Sequence, residues 1–161
     1  MKTSPPIHGF RSHMDLALEE ARAAAARGEV PVGAVLVDGT GAILARAGNR
    51  MRERADPTAH AEMEVIRAGA AALGSERLIG CDLYVTLEPC PMCAAAISAA
   101  RIARLYYGAS DPKSGGVAQG PRVFSHPQCH HVPEVYDGIG EAEARILLQE
   151  FFRERRGDGD T

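Results

Sequence analysis

Two short stretches of this chain carry side chains that could act on one chemical problem together. His60-Ala61-Glu62 places an imidazole and a carboxylate two residues apart, and Pro89-Cys90-Pro91-Met92-Cys93 places two thiols three residues apart. One nitrogen and two sulfurs suit zinc, a borderline-soft cation that accepts both donor types. Cys90 and Cys93 share a face if a helix begins there, and Pro91 fits a first helical turn, where its missing N–H costs little. Three protein ligands leave zinc one open position, which is how catalytic zinc sites differ from structural ones. Zinc at such a position lowers the pKa of bound water to about 7, and a carboxylate off the metal is then needed to move protons. Glu62 is the candidate. Residues i and i+2 diverge on a regular helix, so His60 and Glu62 converge only around a helix end. The alternative is a structural zinc half-site or a redox pair, with Cys81 or Cys129 as a further ligand and Glu62 as a solvated helix residue.

The pattern of apolar residues supplies elements to hold these groups. Ser12 caps a first helix to about Arg27, with Met14, Ala17, Leu18, Ala21 and Ala25 as its stripe and Gly28 at its end. Val32–Val37 and Ala42–Ala47 read as a hairpin about Asp38-Gly39. Thr58 caps a second helix from Ala59 to about Leu73, closed by Gly74. Leu83–Leu87 is a strand, a third helix runs from the Pro89/Pro91 bracket to about Ala100, and Ile102–Tyr107 is a further strand. Residues 110–138, rich in Gly, Pro, His and Ser, form a long loop with a short strand near Val135. Glu141–Arg156 is a final helix whose apolar face is Ala144, Leu147, Leu148, Phe151 and Phe152. This order predicts a layered α/β fold with a mixed sheet, its first strand pair antiparallel and its last strands parallel. Residues 1–161 read as one domain, with 1–11 a loose arm and 157–161 a frayed tail.

Composition narrows the function classes. With 45% hydrophobic and 24% charged residues the chain can bury a core, which excludes a disordered protein. No apolar run approaches the length of a membrane span, and the first residues lack the apolar core of a secretory signal. The four cysteines therefore read as reduced thiols or metal ligands in a cytoplasmic protein. A net charge of -3 excludes a binder that coats nucleic acid by bulk charge, but local clusters remain: Arg46, Arg50, Arg52 and Arg54 outnumber Glu53, and Arg153, Arg155 and Arg156 outnumber Glu154. Each cluster reads equally well as a solvated charged face.

With His-x-Glu and Pro-Cys-x-x-Cys in place, the chain resembles the zinc-dependent nucleobase deaminases, which carry that paired signature. Within them it is most similar to the bacterial tRNA adenosine deaminases. The resemblance is carried by Glu29-Val30-Pro31-Val32-Gly33-Ala34, by Asp56-Pro57-Thr58-Ala59-His60-Ala61-Glu62 and by Leu83-Tyr84-Val85-Thr86-Leu87-Glu88-Pro89-Cys90. Arg101-Ile102, Asp111-Pro112-Lys113 and Phe151-Phe152-Arg153 extend it, over about residues 12–156. It implies a three-layer α/β/α cytidine-deaminase-like fold, a homodimer, one zinc per subunit held by His60, Cys90 and Cys93, and Glu62 as proton shuttle. It further implies Asn49 as a base contact, Asp111 as a substrate-binding residue, and conversion of the wobble adenosine in the anticodon loop of an arginine tRNA to inosine; Lys113 adds a cation for substrate binding from the long loop. Unaided, Asn49 reads as a turn-stabilising residue and Asp111 as a loop-turn residue. Ser114–Gly138 departs from many members. Its Cys129-His130-His131 run raises a second metal site, though adjacent residues in such a loop seldom converge on one ion, and Cys81 reads as a small buried hydrophobe.

Two other functions fit the same motifs. A free-base or nucleoside deaminase of guanine or cytosine type shares the zinc chemistry. A zinc-stapled RNA-binding module without catalysis needs a fourth protein ligand and no Glu62.

Overall fold

Strict alternation along the strands gives the sheet two apolar faces, and each face takes its own pair of helices. The computed structural model describes residues 7–157. In chain order these form α1 (Ile7–Ala26), β1 (Gly33–Val37), β2 (Ile43–Gly48), α2 (Ala61–Leu73), β3 (Asp82–Leu87), α3 (Pro91–Ala99), β4 (Arg104–Ala109), β5 (Glu134–Tyr136) and α4 (Glu141–Gly157). The sheet order is β2-β1-β3-β4-β5. β1 runs antiparallel to both β2 and β3, and the β3–β4 and β4–β5 pairs are parallel. On one face Val35, Val37, Tyr84 and Tyr106 pack with Met14, Ala17 and Leu18 of α1 and Ala144 of α4. On the other, Ala34, Leu36, Leu83, Val85, Leu105 and Tyr107 pack with Ala61 and Val65 of α2 and Ile97 of α3. This is the expected three-layer α/β/α arrangement, with the mixed sheet in the middle.

Close backbone approach, not side-chain bulk, seats α1 on the sheet. A Cβ on Gly33 would stand 1.9 Å from the Ala17 carbonyl oxygen and 2.6 Å from the Ala21 nitrogen. At the far end of α2, Gly74 takes φ 63 and donates its N–H to the Ala70 and Ala71 carbonyls, the left-handed stop that its residue type predicts.

The structure corrects several boundaries. α1 begins at Ile7, so residues 7–11 of the expected arm are helical and Ser12 lies inside the helix rather than capping it; the rest of that arm, and the tail beyond Gly157, lie outside the described residues. The cap of α2 is His60, not Thr58. The N–H and hydroxyl of Thr58 are instead turned onto the Asp56 carboxylate, at 2.8 and 2.7 Å. β4 starts at Arg104 because Ile102 donates its N–H back to Ile97, closing the end of α3. On α4, Ala144 and Phe151 are buried but Phe152 is exposed, which narrows the apolar face.

Candidate metal centre and substrate cavity

The cap residues at the starts of α2 and α3 are His60 and Cys90. Both caps are extended and neither uses its side chain to cap, so the imidazole and thiol are left for each other. One turn into α3, Cys93 is fully buried. His60 Nδ1 lies 3.7 Å from Cys90 Sγ and 3.5 Å from Cys93 Sγ. A tetrahedral zinc with Zn–S of about 2.3 Å and Zn–N of about 2.05 Å sets its nitrogen and sulfur ligands about 3.6 Å apart. The donor atoms therefore already stand at zinc-ligand spacing. Among the described residues no fourth His, Cys, Asp or Glu joins this group.

Glu62 is two residues inside α2, at the helix end where it can turn toward the ligands. It is 3% exposed. Burial pushes the Glu62 carboxyl above the usual carboxylate range. The two thiols divide sharply. The hydrogen bond from Cys93, helped by His60, pulls Cys90 down to about 4, while that same bond and burial drive Cys93 far up. The bond to Cys90 raises His60. A cluster holding one thiolate, one thiol and a proton-hungry imidazole is poised to exchange protons for a cation, as thiolate–zinc binding requires.

His60, Glu62 and Cys90 line a cavity of about 150 Å³, together with Val30, Val32, Asn49, Met51, Leu87, Glu88, Asp111 and Ser114. Asn49 belongs to the wall and also to the frame. Its Oδ1 accepts the Ala61 N–H at 2.8 Å, capping α2 in place of the His60 side chain, and its Nδ2 donates to the Val30 carbonyl at 3.1 Å. One amide N–H and one lone pair remain for a bound molecule. Asp111 uses Oδ1 to accept the N–H groups of Lys113 and Ser114, at 3.2 and 3.0 Å, so it shapes a turn while facing the cavity. Lys113 is not in the cavity itself. It lines an adjoining groove with Arg145, Phe152 and Arg156, which meets the cavity at Val30, Leu87, Asp111 and Ser114.

Two buried carboxylates that sequence reasoning gave no role hold these walls. Glu29 is 1% exposed and accepts the N–H groups of Arg52 and Glu53, both at 3.0 Å. Glu88 is 2% exposed and gathers the loop after β4. The available signal was position: Glu88 sits between an apolar strand and a proline, where a charge has no solvent to face.

Other sequence-level candidates lie elsewhere. Cys81 is buried in the core. Cys129 is 3.3 Å from Ser98 Oγ and His131 donates from Nε2 to the Ile102 carbonyl at 2.7 Å, so they fasten the loop to α3 and to the residues that follow it; with His130 they form no metal cluster among the described residues. A larger, mostly apolar groove beside α3, lined by Ala95, Ala99 and Cys129, shares no residue with the ligand cavity. The basic cluster at 46–54 is thinned by pairing: Arg46 binds Glu19 and Glu20, Arg50 binds Glu53, and Arg54 binds Glu64.

A mixed α/β/α sheet with one imidazole and two thiols at two helix starts, and a buried Glu beside them, defines a zinc-binding deaminase. The cytidine and deoxycytidylate deaminase zinc-binding region matches residues 10–109, and the chain belongs to that family. Within it, the chain is 63% identical to the tRNA-specific adenosine deaminase of Agrobacterium fabrum over 149 residues, 92% of this chain and 97% of the relative. It is 45% identical to the tRNA-specific adenosine deaminase of Bacillus subtilis over 144 residues, 89% of each. A structure solved in a study of A-to-I editing by tRNA:A34 deaminases at the wobble position of transfer RNA matches with a TM-score of 0.84 and 63% identity, over 85% of this chain and 99% of that one.

Proposed function

We propose that this chain hydrolytically deaminates the wobble adenosine of a tRNA anticodon loop to inosine, the tRNA being the arginine tRNA that the resemblance implies. The observation that carries the substrate reading is the 63% identity, over nearly the whole chain, to a tRNA-specific adenosine deaminase. The site supplies the chemistry. His60 Nδ1 and the Cys90 and Cys93 sulfurs hold the zinc. Bound zinc supplies Lewis-acid activation of water, bringing its pKa to about 7. Glu62 accepts a proton from the attacking water, delivers it to ring N1 as the C6–O bond forms, and returns a proton to the departing amine, so that water and adenosine leave as inosine and ammonia. Its burial keeps the carboxyl off bulk water and ready to carry that proton. Asn49 orients the base edge with its remaining donor and lone pair. Lys113 and Arg156, along the adjoining groove, face the phosphates of flanking nucleotides. An adenosine in a loop leaves its stack at little cost. We read residues 1–161 as one deaminase domain, acting in the cytoplasm as a homodimer.

The test is a matched assay of zinc-loaded protein on an anticodon stem-loop with a wobble adenosine, and on free adenosine, cytidine and guanine. Inosine in the stem-loop alone supports this function. Turnover of a free base with the stem-loop untouched replaces it with the free-base reading and retains the zinc chemistry.

A further inference from the structure

Glu88 is a buried carboxylate that the chemistry above does not use. β3 ends at Leu87, and Glu88 continues the pairing one step further by donating its N–H to the Ala109 carbonyl at 2.8 Å. Its side chain thus leaves the end of β3 against the loop that follows β4. Five donors of that loop converge on it. Oε1 accepts the Ser110 hydroxyl at 3.2 Å and the Asp111 N–H at 3.1 Å. Oε2 accepts three consecutive backbone N–H groups, those of Val117, Ala118 and Gln119, at 3.1, 3.0 and 3.0 Å. The Gln119 side chain then donates to Ser110 Oγ at 3.2 Å and closes the ring. The Gly116 N–H adds a bond to the Pro89 carbonyl at 2.8 Å, on the turn that presents Cys90.

The loop lies directly on this turn. A Cβ on Gly115 would stand 2.5 Å from Glu88 Oε2 and 2.6 Å from the Asp111 carbonyl oxygen. A Cβ on Gly116 would stand 2.5 Å from the Pro91 nitrogen. No side chain fits between loop and carboxylate, and the three amides on Oε2 have no helix or strand partner of their own. Between the two halves of this network the chain carries Asp111 and Ser114 into the cavity wall.

We propose that Glu88 is a positioning residue: it holds the 110–119 loop in its bound shape before substrate arrives, and so sets where Asp111 and Ser114 stand. A preformed wall spares the substrate the ordering of a ten-residue loop, which appears as affinity rather than as chemical rate. This inference rests on the deaminase reading for its kinetic readout only.

The experiment compares wild type with Glu88→Gln in zinc-loaded form. Glutamine keeps the shape but turns one acceptor oxygen into a donor, so either the Asp111 N–H or the three loop amides face an NH₂ group. The expected result is unchanged zinc content. KM for the anticodon stem-loop rises about tenfold, and hydrogen exchange of the Val117–Gln119 amides quickens about tenfold or more. Unchanged KM with unchanged exchange would overturn the proposal. So would loss of zinc, or a fall in kcat at constant KM, since either places the effect at the Cys90 turn and not in the loop. If Glu88→Gln does not fold, Gly115→Ala, which pushes the loop off the intact carboxylate, carries the same expectations. If wild type leaves the stem-loop untouched, the substrate reading fails, and the exchange rates alone still decide whether Glu88 holds the loop.

Discussion

At the scale of single residues, the two thiols of the ligand cluster behave in opposite ways, and the two buried carboxylates nearby differ in what surrounds them. Glu62 is buried beside the ligand cluster, and burial favours its protonated form. Glu88, equally buried, is wrapped in N–H donors. Glu62→Gln should keep fold and zinc and lower kcat on the stem-loop by about 10²- to 10⁴-fold, the usual worth of a positioned acid–base group. Metal analysis beside a single-turnover assay checks this, and surviving turnover would remove Glu62 from its role. The thiols make a pH prediction. Cys90 is brought to about 4 by its bond to Cys93. A lowered thiol pKa means that the thiolate persists as pH falls and is lost only near that value. In zinc-free protein, Cys90 should therefore alkylate at pH 6, where an unperturbed cysteine thiol in a peptide is almost wholly protonated and slow. Peptide mapping after brief alkylation reads this directly, and zinc should protect Cys90.

At the scale of elements, the site depends on where two helices start, and the starts are fixed from outside the helices. The first amide of α2 is capped by Asn49, at the end of β2, and the start of α3 is set by Pro91 at its first position. The third helix of interest, α1, is held by contact with the Gly33 backbone. Gly33→Ala should push α1 off the sheet and destabilise the protein by about 2 kcal/mol, an overpacking cost, with Tm lower by about 4–8 °C. A thermal melt at saturating zinc measures it. An unchanged Tm would mean that the α1–β1 spacing is softer than the packed backbone indicates.

At the scale of the whole molecule, charge is organised by pairing rather than by abundance. The arginines of the 46–54 stretch are mostly joined to acids on α1, α2 or their own loop. The groove that opens from the cavity keeps Lys113 and Arg156 on its rim. RNA affinity should thus depend on few cations. Removing one phosphate contact by Lys113→Ala should reduce the slope of log K against log salt by about 0.7, the value for a single strand, and leave turnover of bound substrate unchanged. Binding titrations at several salt concentrations test this, and an unaltered slope would take Lys113 off the RNA path.

The zinc-ligand residue types, the strand and helix order, the mixed sheet and the Gly74 stop were legible in the sequence because each rests on spacing within a few residues. Periodicity, a proline at a helix start and a Cys-x-x-Cys are local facts. The rest depends on residues that meet only after the sheet orders its strands. Thr58 looked like a helix cap until Asp56 took both its donors, and Asn49 took over the cap from twelve residues away. The basic stretch at 46–54 looked available until α1 and α2 brought acids to it. Glu29 and Glu88 stood in stretches that carry the resemblance but had no role of their own, because a carboxylate has meaning in a core only through the N–H groups that surround it. Those groups come from loops more than twenty residues along the chain. Sequence alone therefore determined which atoms can hold a metal and move a proton; the tertiary structure decided which side chains frame the cavity and hold its walls.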